Sequence, residues 1–128
     1  MTASFLRRTA AALAGPLIAL AVAGCSADDE AAAPIDPEFA AGARVYAERC
    51  ASCHGADLRG TDKGPSHLSI VYEPGHHSDD SFRQAIAVGT PQHHWPFGDM
   101  QPVEGLTDQE VEDVIAFIRS EQERLGFE

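Results

Sequence analysis

Two cysteines three apart, with a histidine directly after the second, stand in Cys50-Ala51-Ser52-Cys53-His54. Three chemistries use thiols at this spacing. They can make half of a zinc site, a dithiol–disulfide redox pair, or a double covalent attachment to a haem with the histidine as iron ligand. The other residues with metal or redox chemistry are the lone Cys25, Met100, His67 and two pairs, His76-His77 and His93-His94.

The elements around the motif narrow the choice. Asp36-Pro37 is a helix start, with Asp as N-cap and Pro in the first helical position. Phe39, Gly42, Ala43, Tyr46, Ala47 and Cys50 follow at helical spacing, so the pattern predicts a helix over 37–50 that delivers Cys50 at its end. Residues 55–77 are rich in Gly, Pro and polar side chains and read as loop. A short helix is predicted over 79–88, buried through Phe82, Ala85 and Ile86 and stopped by Gly89. The prolines and glycines of 90–105 read as irregular chain. Thr107 and Glu110 then form a capping box, and Leu106 and Val111 a hydrophobic staple. The final helix carries Val111, Val114, Ile115 and Ile118 as its apolar stripe, with Phe117 beside it and Gly126 at its end. No segment alternates long enough to propose a sheet. The fold class is therefore all-α, with three main helices and long loops. Such loops are uncommon in a small domain, and three modest helices bury little apolar surface alone. A large flat apolar cofactor would complete the core.

Zinc asks for four protein ligands in a structural site. Cys50, Cys53 and His54 offer at most three, and adjacent Cys53 and His54 do not readily meet at one tetrahedral ion. A thioredoxin-like pair needs a βαβ context that is absent. Attachment of haem c fits the spacing: the two thiols add to the two porphyrin vinyl groups, and His54 falls under the iron as its proximal ligand. Met100, in the irregular Gly98-Asp99-Met100-Gln101-Pro102 loop, is the candidate for the opposite axial position. A thioether opposite imidazole favours ferrous iron and raises the potential. The competing readings are a Met that fills a gap in the core, and ligation by His93 or His94 instead.

Residues 1–24 read as a leader, with Arg7 and Arg8 ahead of an uncharged apolar run that is short for a membrane span. Its end, Val22-Ala23-Gly24-Cys25, resembles the lipobox of bacterial lipoproteins, which implies cleavage before Cys25 and lipidation of that thiol; the other reading is an ordinary signal peptide with an incidental cysteine. Residues 25–35 are expected to form a flexible tether, and 36–128 the folded domain. Loss of Arg7 and Arg8 takes the formal charge from −11 to −13. That excludes nucleic acid as a partner and suits a self-repelling monomer that meets basic proteins.

From about residue 37 to 125 the chain resembles a class I cytochrome c. The resemblance rests on Gly42-x-x-x-Tyr46-x-x-x-Cys50, on Cys50-Ala-Ser-Cys53-His54, on Gly64-Pro65, on Met100 with Pro102 close behind, and on a C-terminal helix containing Phe117. It implies a fold wrapped around one covalent haem. The first and last helices would cross at Gly42 between Tyr46 and Phe117, and the Pro65 carbonyl would accept the other N–H of His54. The function implied is one-electron transfer between respiratory or periplasmic redox proteins, without turnover of a substrate. The expected location is the extracytoplasmic face of the cell membrane, held by the lipid on Cys25. Two other functions stay open: a peroxidase-like haem enzyme or sensor with a displaceable sixth ligand, and a metal-handling lipoprotein using the histidine pairs. The five histidines outside the motif have three readings: solvated loop residues, donors (with Trp95 or Tyr72) to the haem propionates, or a second site for copper or zinc.

Overall fold

Asp36 caps the turn that follows it as the sequence predicts, its carboxylate accepting the Glu38 N–H at 3.0 Å in a computed structural model that describes residues 34–128. The leader, Cys25 and most of the tether lie outside the described residues. The single helix predicted over 37–50 is two pieces, a 3-10 turn over Pro37–Phe39 and α1 over Ala40–Arg49, and a one-turn helix that the pattern did not predict, α2, follows at Ala51–His54. Cys50 is the joint between α1 and α2, with φ −116° and ψ −38°. Ala47 is exposed and Val45 is buried in its stead, because the buried face of α1 runs through Gly42, Val45 and Tyr46. Helix α3 spans Asp79–Val88 and buries Phe82 and Ile86. Helix α4 spans Asp108–Leu125 and ends at Gly126, where φ is +79°. Its capping box closes in both directions, Thr107 accepting from the Glu110 N–H while the Glu110 carboxylate accepts from the Thr107 N–H. Leu106 and Val111 both pack on the core. The described residues contain no strand, only a single antiparallel bridge between Thr90 and Met100. None of their helices is long and apolar enough to cross a membrane.

The core forms where α1 crosses α4. A Cβ built on Gly42 would lie 1.9 Å from the Asp113 carbonyl oxygen and 2.8 Å from Cβ of Phe117. The missing side chain thus lets the two backbones touch. Tyr46, one turn further on, packs its ring 5.5 Å from that of Phe117. Val114, Ile115 and Ile118 complete the apolar stripe of α4.

The stretch predicted as plain loop, 55–77, contributes to this core. Leu58 and Leu68 are buried, the former at φ +64°, and Ile70–Tyr72 forms a second 3-10 turn. The C-terminus fastens this loop: the Glu128 N–H donates to the Leu68 carbonyl at 2.7 Å, and the Ile70 N–H to the Glu128 carbonyl at 3.1 Å. Single apolar residues without a period leave no signal to read, which is why these two leucines escape sequence reasoning.

Gly42→Ala tests the helix crossing. Alanine gains about 1 kcal/mol over glycine in helix propensity. Overpacking against the Asp113 carbonyl outweighs this, and a net destabilisation of about 1–3 kcal/mol is expected by urea unfolding.

Candidate haem site

One helical turn sets the chemistry of the motif. The Cys53 and His54 N–H groups donate to the Cys50 carbonyl at 3.1 and 3.0 Å. Residues three and four apart share a helix face, so α2 presents Cys50, Cys53 and His54 together. All three line a cleft of about 940 Å³, whose wall also includes Pro65, Phe82 and Met100. Neither cysteine is in a disulfide. Burial pushes the Cys50 thiol up to about 11, with the neighbouring Cys53 adding to the effect and Arg49 opposing it.

A helix of four residues holds its shape only if its last carbonyls find donors from elsewhere. Here each does. Thr61 donates its hydroxyl to the Cys53 carbonyl at 2.6 Å, and the Gly60 N–H donates to that of His54 at 2.8 Å. The buried hydroxyl of Tyr46 reaches the carbonyls of Gly55 at 2.8 Å and His54 at 3.3 Å. Gly64 lies so close over this turn that a Cβ there would be 3.0 Å from the Cys53 carbonyl. That approach brings the next residue's carbonyl to the histidine: Nδ1 of His54 donates to Pro65 O at 2.9 Å. A carbonyl only accepts, so the proton resides on Nδ1 and the lone pair on Nε2, as metal ligation requires. Burial holds His54 below its ordinary pKa, against the opposing pull of the Pro65 carbonyl. The imidazole is thus neutral at pH 7.

Met100 reaches the same cleft from the other side of the sequence. Thr90 and Met100 exchange both backbone hydrogen bonds, at 3.0 and 2.9 Å. A Cβ on Gly89 would meet the Met100 carbonyl at 2.4 Å, and the positive φ of +76° there also calls for glycine. The Val103 N–H donates to the Ile86 carbonyl at 2.9 Å. The strand-like segment bearing Met100 is therefore stitched to the end of α3.

The cleft is built for a group of this kind. It is a large, partly apolar pocket with a few polar atoms, the usual form of a cofactor site. One of those atoms has no partner: Nδ1 of His67, whose ring is buried and stacks on His54 at 4.1 Å. Orphaned buried polar atoms are rare in native proteins and mark a missing partner. Two thiols, a neutral imidazole with its lone pair free, and a thioether supply the donors that haem c needs.

A family model described as Cytochrome c matches residues 39–122. The chain belongs to the cytochrome c family. No curated protein and no solved structure matches it. As a cytochrome c it binds haem c covalently, and the helical fold agrees with that of the family. The helix crossing at Gly42 and the Pro65 carbonyl on His54, which the resemblance implies, are both present in the fold.

Other predicted residues are placed differently in this cytochrome. Trp95 is not in the wall of the cleft; it stacks on Tyr72 with ring centroids 5.8 Å apart. Tyr72 does line the cleft, and burial pushes its hydroxyl up to about 12. His67, grouped in sequence with solvated loop histidines, is 6 % exposed and so corrects that reading. Burial above all, with His54 and Arg119 nearby, holds it well below its ordinary pKa. The two histidine pairs do come together, at the rim of the cleft.

Arg119 was missed by sequence reasoning. On a charged helix face an arginine reads as solvated, yet this one donates inward to the Tyr72 carbonyl at 2.7 Å and the His77 carbonyl at 2.5 Å. It also pairs with Asp79 at 2.8 Å and lies over the Phe82 ring at 4.8 Å. It thereby clamps 72–79 onto α4.

Tyr46→Phe keeps the ring contact with Phe117 and removes the donor to Gly55. A loss of about 1–3 kcal/mol is expected in denaturant unfolding of the haem-loaded protein. In Arg119→Met, which keeps an apolar stem, amide hydrogen exchange should accelerate across 72–79 and stay unchanged in α1.

Proposed function

We propose that this cytochrome c is a class I monohaem carrier, lipid-anchored through Cys25, that passes single electrons between redox proteins at the extracytoplasmic face of a membrane. The observation that carries the reading is the placement of Cys50, Cys53 and His54 on one helical turn of a cleft that Met100 also lines. When bound, the haem supplies an iron that alternates between ferric and ferrous states. The chain's own groups do the rest. Cys50 and Cys53 hold the group through thioethers. His54 offers Nε2, oriented and made more basic by the Pro65 carbonyl. Met100 offers a soft, weakly basic thioether that favours the reduced state.

Two protein ligands leave no position at which a substrate could be activated, so the role is transfer without turnover. The supports of both ligands are backbone hydrogen bonds within packed segments. Little therefore has to reorganise when charge changes, as a carrier requires. The Val22-Ala23-Gly24-Cys25 sequence supports the anchor, and a tether over 25–35 would let a monomeric domain reach both a donor and an acceptor. The acidic balance, 20 Asp and Glu against nine Lys and Arg, favours partners with a basic docking face.

The test is an optical and potentiometric study of the chain made with haem-attachment machinery. Pigment should survive acid acetone, and the oxidised protein should show the weak red-edge band of iron–thioether ligation. Met100→His should abolish that band and lower the midpoint by a sizeable part of the roughly 0.8 V that axial ligands span. Rapid, tight binding of carbon monoxide to the native ferrous protein would overturn six-coordinate ligation and favour a sensor or peroxidase. A Cys25→Ala chain should lose its membrane association while keeping its spectrum.

A further inference from the structure

The two histidine pairs lie 16 residues apart in sequence, before and after α3, and meet at the rim of the cleft. Nε2 of His76 is 3.3 Å from Nε2 of His94, and Nε2 of His93 is 3.5 Å from Nε2 of His77. Ligand nitrogens of His76, His77 and His94 all fall within 4.8 Å of one another.

The second of these contacts is the informative one. Nδ1 of His77 lies 2.7 Å from the Val71 carbonyl, and Nδ1 of His93 lies 2.8 Å from the Pro91 carbonyl. Carbonyls accept and never donate, so both rings carry their proton on Nδ1. In the neutral rings both Nε2 atoms then present lone pairs, and these face each other. Two such acceptors repel unless a proton or a metal cation lies between them, and a metal cation is the partner that neutral imidazoles ligate. The carbonyls meanwhile provide the outer support that fixes ring and tautomer in metal-binding histidines.

We propose that His76, His77 and His94, with His93 joined to them through its contact with His77, form a zinc site at the rim of the cleft. Neutral imidazole suits Zn2+. Tetrahedral bonds of roughly 2.0–2.1 Å set ligand nitrogens roughly 3.3–3.4 Å apart, which is the spacing already present within the two cross-loop contacts. Three of the rings (His76, His93 and His94) are exposed, so the ion enters from solvent. Once bound, it joins the segment ahead of α3 to the loop that leads to Met100 and closes that side of the molecule. Arg119 presets half of the arrangement by holding the His77 carbonyl. The proposal depends on none of the iron ligation.

The experiment uses the haem-loaded full chain in detergent, stripped with chelator and titrated with Zn2+. One ion per chain should be retained through gel filtration, and thermal unfolding should shift upward with zinc concentration, because binding to the folded state alone stabilises it by mass action. His93→Ala/His94→Ala should lose at least about tenfold in zinc affinity. His76→Gln, at an exposed position, should weaken binding as well and guards against a misfolded double variant. The haem spectrum and midpoint should stay unchanged in both. Absence of stoichiometric zinc would overturn the proposal, as would affinity unaffected by the substitutions. A changed haem spectrum in the double variant would assign these histidines to the iron and overturn it too.

Discussion

The contact between the α1 and α4 backbones at Gly42 sets the position of everything else. A side chain at 42 would have its first carbon inside the Asp113 carbonyl. Because that space is left empty, Tyr46 and Phe117 meet one turn later, and the Tyr46 hydroxyl arrives at the carbonyls that end α2. Tyr46 thus links the helix packing directly to the turn that bears Cys53 and His54. Packed interiors deform little, so an error at the crossing is passed on to His54.

Around that turn the protein relies on main-chain groups. Gly60, Gly64 and Pro65 support the motif through backbone atoms, and the Met100 segment is held through Thr90 and Val103 in the same way. Glycine serves here by letting backbones come within contact distance: Gly64 over Cys53, and Gly89 under Met100. Arg119 supplies the corresponding restraint where the chain lacks regular structure, over 72–79. It is charged and largely covered, yet hydrogen-bonded to two carbonyls, one carboxylate and an amide, which is how a covered charge is tolerated.

Much of this is legible in the residues themselves. The capping box of α4, the stop at Gly89 and the face of α3 follow from local chemistry whose partners lie within a few positions. The crossing at Gly42 and the carbonyl of Pro65 are legible only through resemblance, since each depends on a partner far along the chain. What escapes has a common cause. Leu58 and Leu68 are buried by loop paths that carry no period, and Val45 replaces Ala47 on the buried face because the direction of α4 decides which side of α1 is covered. Arg119 is missed because its partners are carbonyls, which every residue has. Trp95 turns to Tyr72 through a loop closure that composition does not encode.

The reciprocal bonds between Thr90 and Met100 have one more implication. They pinch the chain at both ends of residues 91–99, making that stretch a closed excursion whose ends are already fixed. Loop closure grows only slowly more costly with length, by about 0.6 kcal/mol per doubling. This excursion can accordingly lengthen, shorten or change its side chains while the methionine keeps its place. His93 and His94 apart, its residues are free to diversify between descendants of the same gene, and the methionine behind them need not move.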